Sequence, residues 1–81
     1  MSLLSFNRLR TEAQLEMLMH VGVLLVECKR GNRTMRLFFL HRYYVEVIAS
    51  SETGKVIRIS AFEDIKRIEP YLHEIDLSSL I

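Results

Sequence analysis

The residue types that most often do chemistry are few in this chain. Three histidines and one cysteine are present, and they are His20, His41, His73 and Cys28. A zinc site needs roughly three or four thiolate or imidazole ligands, often in pairs about two to four residues apart. These four residues show no such spacing. We therefore predict no metal site, and we assign the histidines to a helix end, a turn and a helix surface.

Other catalytic arrangements are also missing from the sequence. A nucleophilic cysteine needs a base nearby and some exposure to solvent, whereas Cys28 is predicted to point into the core. Glu63 and Asp64 are adjacent on a predicted helix, so their carboxylates point apart. The glycines are scattered and are predicted to lie in turns, which excludes a glycine-rich phosphate loop. The sequence therefore predicts no catalytic site, no cofactor and no enzymatic activity.

One stretch of the sequence carries a strong local charge. The residues between Cys28 and Val45 include basic side chains and no acidic one, and the basic residues are Lys29, Arg30, Arg33, Arg36 and Arg42. Cationic side chains beside aromatic residues on a sheet can bind nucleic acid. An anion-binding hairpin at residues 29–42 is therefore an alternative hypothesis. The net charge of +1 gives little long-range attraction to phosphate, and a solvated hairpin end is the simpler interpretation.

The elements that position these residues belong to one small domain. With 81 residues, 49% of them hydrophobic, the chain is predicted to form a single domain over residues 1–81. Residues 1–10 are predicted to be irregular or, at their start, vector-derived. The single cysteine indicates the reducing cytoplasm. The apolar runs are too short for a signal peptide or a membrane span.

Local patterns predict a helix, four strands and a broken helix. A capping box at residues 11–14 predicts a helix that begins at Thr11. Alternating apolar residues and turn sequences then predict four strands. A second capping box at residues 60–63 predicts a helix that Glu69-Pro70 interrupts and that continues through Ile75. The predicted class is α+β, with an N-terminal helix, a four-stranded antiparallel β-meander and a C-terminal broken helix, in two layers.

The first predicted hairpin decides which surface of the sheet is buried. Gly31-Asn32 fits a two-residue turn, which places Val26 opposite Leu37 on an apolar surface and Glu27 opposite Arg36 on the other surface. A shift of one residue would bury the charged pair. The apolar surface is therefore predicted to face the core.

The second hairpin carries the prediction of an association surface. A three-residue loop or bulge near residues 40–42 would keep Glu46 on the outer surface, whereas a two-residue turn would bury it, so we predict the longer loop. The resulting outer apolar surface comprises Val23, Leu25, Phe38, Leu40, Tyr44, Ile48 and Val56. Such a surface rarely stays in water, which predicts a homodimer or a protein partner. The alternative is a monomer whose sheet lies between helices.

Several segments of the sequence also carry a family resemblance. They are Tyr43–Val47, Ile57–Phe62, Ile68–Leu72 and Ile75–Leu77. Together they resemble a group of short uncharacterised single-domain proteins of Bacteroidetes bacteria, over most of the chain from Thr11 onward. The resemblance implies a free-standing cytoplasmic domain, and it implies no activity and no site residue.

The sequence thus favours a non-catalytic homodimeric protein-interaction module in the cytoplasm, without a membrane or metal partner. Two alternatives stay open. The first is a nucleic-acid-binding domain that uses the basic hairpin at residues 29–42. The second is a small-ligand carrier with a pocket between helix and sheet.

Overall fold

The structure is a computed structural model and describes residues 1–72. In this part of the chain two helices, four strands and two short helices follow one another. They are α1 (Leu3–Asn7), α2 (Thr11–Val21), β1 (Val23–Arg30), β2 (Arg33–Leu40), β3 (Tyr43–Ser50), β4 (Val56–Phe62), a 3₁₀ helix (Ile65–Ile68) and α3 (Glu69–Leu72). The predicted class α+β and the predicted order of elements are confirmed. We refer to residues 65–72 as the C-terminal helical segment.

The four strands of the described residues form one antiparallel meander with the order β1-β2-β3-β4. The first turn is Gly31-Asn32, as predicted, and Val26 lies opposite Leu37. Both of these side chains are buried, whereas Glu27 is exposed. The predicted orientation of the first hairpin is therefore confirmed.

The second turn differs from the prediction. Leu40 pairs with Tyr43, so residues 41 and 42 alone form the turn, and the prediction of a three-residue loop or bulge is wrong. His41 has a φ of 57°, the left-handed conformation that a tight hairpin turn uses and that histidine tolerates better than a β-branched residue. The shorter turn places Glu46 opposite Leu37, on the surface that the first hairpin buries.

Helical segments cover both faces of the sheet. On one face, α1 and α2 contribute to a first core cluster of Phe6, Leu18, Leu40, Tyr43, Val45, Val47 and Ala61. On the other face, α3 contributes to a second core cluster of Val26, Cys28, Leu37, Phe62 and Tyr71. The two-layer arrangement of the prediction thus gains a short third layer, because the chain crosses to the opposite face after β4. The sheet lies between helices, as in the monomeric alternative.

The helix starts involve other residues than the two capping boxes. Arg10 is the N-cap residue of α2, and the side chain of Gln14 donates a hydrogen bond to the Phe6 carbonyl at 2.9 Å, which joins α2 to α1. The box predicted at residues 60–63 lies in and just after β4, and Asp64 caps the 3₁₀ helix instead. Gln14 therefore binds a neighbouring helix and does not cap its own, whereas Asp64 caps the 3₁₀ helix that follows it.

The predicted interruption of the C-terminal helix is confirmed. The 3₁₀ helix ends at Ile68 and α3 begins at Glu69. Pro70 lies in the first turn of α3, where its missing N–H group has no helical partner to lose. The predicted continuation through Ile75 lies outside the described residues, and so does His73.

Candidate functional site

The structure does not bring the seven residues of the predicted association surface to one face. Leu40 is fully buried in the first core cluster, and Phe38 packs against that cluster, whereas Tyr44 packs against the second one. The two-residue second turn is the cause, because it reverses the face on which every β3 side chain lies. Four of the seven are half-buried, namely Phe38, Tyr44, Ile48 and Val56. Val23 and Leu25 remain exposed.

The exposed members lie within a set of exposed apolar side chains at the junction of α2 and β1. We name this set the β1 apolar strip, and its residues are Met19, Val21, Val23, Leu24 and Leu25. Met19 is 85% exposed and the others are between 49% and 57% exposed. Leu24 lies opposite Phe38 and Val23 opposite Phe39, so the strip extends to both faces of the sheet. A solvent-exposed set of this kind marks a surface suited to association.

The β1 apolar strip borders an open edge of the sheet. Within residues 1–72, β1 pairs with β2 on one side and with no strand on the other. Its register shifts between Leu24 and Val26, so Leu25 is an extra residue opposite β2, which is the signature of a β-bulge. The outer side of an edge strand presents backbone N–H and C=O groups that can pair with another chain.

The opposite edge of the sheet is β4, and it is partly closed by a side chain. The Asn7 amide donates to the Ala61 carbonyl at 3.2 Å, and the Ala61 N–H donates to the Asn7 Oδ1 at 2.9 Å. Together these two bonds imitate the pairing that a neighbouring strand would give. The two edges of the sheet are therefore unequal, and β1 is the more open one.

Two of the five predicted anion-binding residues bind groups of this chain. Arg36 Nε donates to Glu27 Oε2 at 2.7 Å. Arg30 Nη2 donates to the Pro70 carbonyl at 2.9 Å, which joins the first hairpin to the C-terminal helical segment. A guanidinium already engaged in this way is less available to a phosphate.

The other three predicted anion-binding residues are divided between two ends of the sheet. Lys29 and Arg33 are exposed beside the Gly31-Asn32 turn, whereas Arg42 lies in the second turn. The eight residues of β2 separate these turns, which is a distance of about 25 Å at the usual rise per residue. The structure therefore does not gather the five basic residues into one patch.

A buried carboxylate lies on the face that the C-terminal helical segment covers. Glu46 is 8% exposed, and the Tyr71 hydroxyl donates to its Oε2 at 2.8 Å. The guanidinium groups of Arg67 and Arg58 lie 3.8 and 4.0 Å from its Oε1. Arg67 also lies 4.0 Å from the centre of the Phe62 ring. These contacts fasten the C-terminal helical segment to the sheet.

The chemistry of this buried cluster is structural. Burial raises the pKa of Tyr71 far above its ordinary value, and the hydrogen bond to Glu46 raises that pKa further. Tyr71 therefore stays protonated and acts as a hydrogen-bond donor, which makes it unsuited to act as a base. Cys28, a buried free thiol, lies in the same core cluster, where it has the environment of a small apolar residue.

A groove of about 360 Å³ lies along the N-terminal helices. Its walls are mainly apolar and include Leu9, Ala13, Met17 and Val21. It thus differs from the pocket between helix and sheet that a small-ligand carrier would use. Val21 belongs to both the groove and the β1 apolar strip, so the two surfaces are continuous.

The described residues also give direct information on metals and membranes. Within residues 1–72 no group of three or more histidine, cysteine, aspartate or glutamate side chains is arranged to hold a metal ion. In the same part of the chain no helix has the length and apolar character that crossing a bilayer requires.

No protein family, curated protein or solved structure matches this chain. The resemblance to short Bacteroidetes proteins therefore stays a prediction. Within residues 1–72, the most distinctive feature of the geometry is the open β1 edge with its apolar strip.

Sequence reasoning missed several residues of this candidate site. Met19 has helical spacing with Leu15 and Leu18, a pattern typical of a shared buried face, but it is the most exposed residue of the β1 apolar strip. Asn7 was not singled out, and its partner Ala61 is 54 positions away. The run of aliphatic residues just after Gly22 was an available signal for the strip, because not all of them can face one core.

Proposed function

We propose that this protein is a non-catalytic protein-interaction module that works as a homodimer in the cytoplasm. The observation that carries the proposal is the exposure of the β1 apolar strip beside an open sheet edge. The strip replaces the larger surface expected from the sequence, and it retains Val23 and Leu25 from that set. The side chains of the strip are apolar and can stabilise a complex only through burial, which also favours association.

The size of the strip sets the expected strength of the dimer. Full burial of a large aliphatic side chain contributes about 1.5–3 kcal/mol, so burial of its exposed half contributes about 1 kcal/mol. Two copies of the strip would then contribute on the order of 10 kcal/mol, which is similar to the estimated cost of association. Aliphatic contacts alone therefore support a weak dimer, and a tighter one needs a further contribution.

The cytoplasmic part of the proposal is supported by the cysteine content. Cys28 is the single cysteine of the chain and is a buried thiol. A small domain that relies on packing and association, without a disulfide, suits a reducing compartment. The proposal also retains the resemblance to short Bacteroidetes proteins, which implies a free-standing cytoplasmic domain.

The molar mass in solution tests the proposal. Light scattering or sedimentation equilibrium from about 1 μM to about 1 mM covers the range of a weak dimer. We expect the mass to rise from the 9.5 kDa of the monomer towards twice that value. A mass that stays at 9.5 kDa over the whole range overturns the proposal.

A matched pair of variants tests whether the strip is the contact surface. Leu25 and Ile57 both lie at a register irregularity of an edge strand, and they are 49% and 50% exposed. We expect Leu25→Lys to weaken the dimer by about tenfold or more, because a buried lysine has to lose its water. Ile57→Lys on the other edge should leave the dimer unchanged. Equal effects of the two substitutions would exclude the β1 apolar strip as the contact.

A further inference from the structure

We infer that the β1 strands of two copies pair antiparallel, so that two four-stranded sheets become one continuous eight-stranded sheet. This inference rests on the proposed homodimer and states how its two copies meet. The occupant of the open edge is thus a second copy of this chain, bound through its backbone as well as through the β1 apolar strip.

The open edge of β1 can pair with another strand. Beyond β1 no strand of residues 1–72 uses the outer backbone groups, and such a row is best satisfied by another strand with the same row. The β4 edge of a second copy is the other available edge. Its Ala61 N–H and C=O groups are already bound by the Asn7 side chain, so β1 is the better partner for β1.

The charges of β1 decide the direction of the pairing. In a parallel pair, Glu27 would lie beside Glu27 of the second copy and Lys29 beside its own equivalent, and like charges side by side are unfavourable. An antiparallel pair reverses one strand and separates these groups. It also brings the aliphatic beginning of each β1 beside the charged end of the other, where the lysine stem can cover apolar surface.

A twofold axis limits the register of the pair. In an antiparallel pair related by such an axis, one residue lies opposite its own equivalent. The longest overlaps of β1 (Val23–Arg30) put either Val26 or Glu27 on the axis. Glu27 on the axis would again oppose two carboxylates. We therefore place Val26 on the axis, which sets Glu27 opposite the bulged Leu25 of the second copy. Because Leu25 is an extra residue of β1, the pairs beyond it are shifted by one residue.

The hydrogen-bond pattern of the first hairpin makes this register testable. The two residues that flank a two-residue turn form both N–H···O=C hydrogen bonds with each other. Along each strand, the N–H groups then point alternately towards and away from the partner strand. From the Arg30–Arg33 pair, this alternation directs the N–H groups of Glu27 and Lys29 away from β2. The N–H groups of Val26 and Cys28 point towards β2. The N–H groups of Glu27 and Lys29 should be protected from hydrogen exchange only in the dimer. Those of Val26 and Cys28 should be protected in both the monomer and the dimer.

Residue-resolved hydrogen exchange is the first measurement. The wild type is compared at a concentration where the mass is doubled and at one where it is that of the monomer. We expect the Glu27 and Lys29 amides to exchange about tenfold or more slowly in the dimer, while Val26 and Cys28 change little. Dilution supplies the monomer even if the Leu25→Lys variant fails to fold.

A mixed sample of ¹³C-labelled and unlabelled protein gives the second measurement. We expect a contact between the Hα atoms of Val26 in the two copies. A doubled mass without protection of Glu27 and Lys29 overturns the edge pairing and leaves the homodimer standing. Contacts centred on Cys28 overturn the register. A monomer at every concentration overturns both the inference and the proposed function.

Discussion

The hydrogen bond between Tyr71 and Glu46 gives the most direct test of how the C-terminal helical segment is held. The Tyr71→Phe substitution removes one hydroxyl group and keeps the ring, which is fully buried. The packing of the second core cluster is therefore retained. What is lost is the donor 2.8 Å from the Glu46 Oε2.

The size of the loss follows from the surroundings of the carboxylate. A hydrogen bond to a charged group contributes about 1.5–3 kcal/mol to stability. The nearest cationic atoms, on Arg67 and Arg58, are 3.8 and 4.0 Å from the Glu46 Oε1. These distances are too long for a hydrogen bond that could replace the one from Tyr71. We expect Tyr71→Phe to lower the free energy of unfolding by about 2 kcal/mol, or the Tm by about 8–16 °C.

Urea unfolding followed by circular dichroism measures this change, with Tyr43→Phe as the control. Tyr43 is also buried, but its hydroxyl donates at 3.3 Å to the Met1 carbonyl near the start of the chain. That neutral and longer bond should contribute less than about 1 kcal/mol. Losses of equal size in the two variants would refute the view that the buried carboxylate depends on Tyr71.

Three further predictions concern the pH dependence, the β4 edge and the start of β1. The folded state raises the pKa of Tyr71 above the ordinary 10.0. The contribution of the protonated Tyr71 to the free energy of unfolding is therefore complete below pH 10.0 and is lost as the pH rises above that value. The Tm at alkaline pH should fall more steeply with pH for the wild type than for Tyr71→Phe. Asn7→Ala removes both bonds to Ala61 and should lower the free energy of unfolding by about 1–2 kcal/mol, as measured in urea, and an unchanged midpoint would contradict the edge cap. Gly22→Ala places a Cβ atom 2.6 Å from the Leu18 carbonyl oxygen. Because this contact is too short, we expect the substitution to lower the Tm by several degrees. A higher Tm would show that the backbone moves to relieve the contact.

The first hairpin was predictable from the sequence and the second was not. Gly31-Asn32 is a local signal, because glycine at the first turn position favours a φ above zero. His41 has the same sign of φ but gives no such signal. The prediction of a longer loop rests on the free-energy cost of burying the Glu46 carboxylate without a partner. The Tyr71 hydroxyl that makes this burial acceptable is 25 positions away, and no local pattern reveals it.

The candidate site was predictable only in part for the same reason. The outward placement of Val23 and Leu25 followed from the alternation of side chains that the first hairpin fixes. Their grouping with Tyr44 and Ile48 depended on the second turn, and the error in that turn placed these two β3 residues on the wrong face. The closure of β4 by Asn7 needs a contact across 54 positions, which only the folded chain displays.

The unequal edges of the sheet would limit the growth of the proposed assembly. A sheet with two open ends could add copies without limit and grow into a fibre. In the homodimer proposed above, the β1 edges would be used and only the β4 edges would remain, each partly closed by the bonds between Asn7 and Ala61, which disfavours the addition of further copies. One asparagine side chain would thus act as a terminator that keeps the assembly finite.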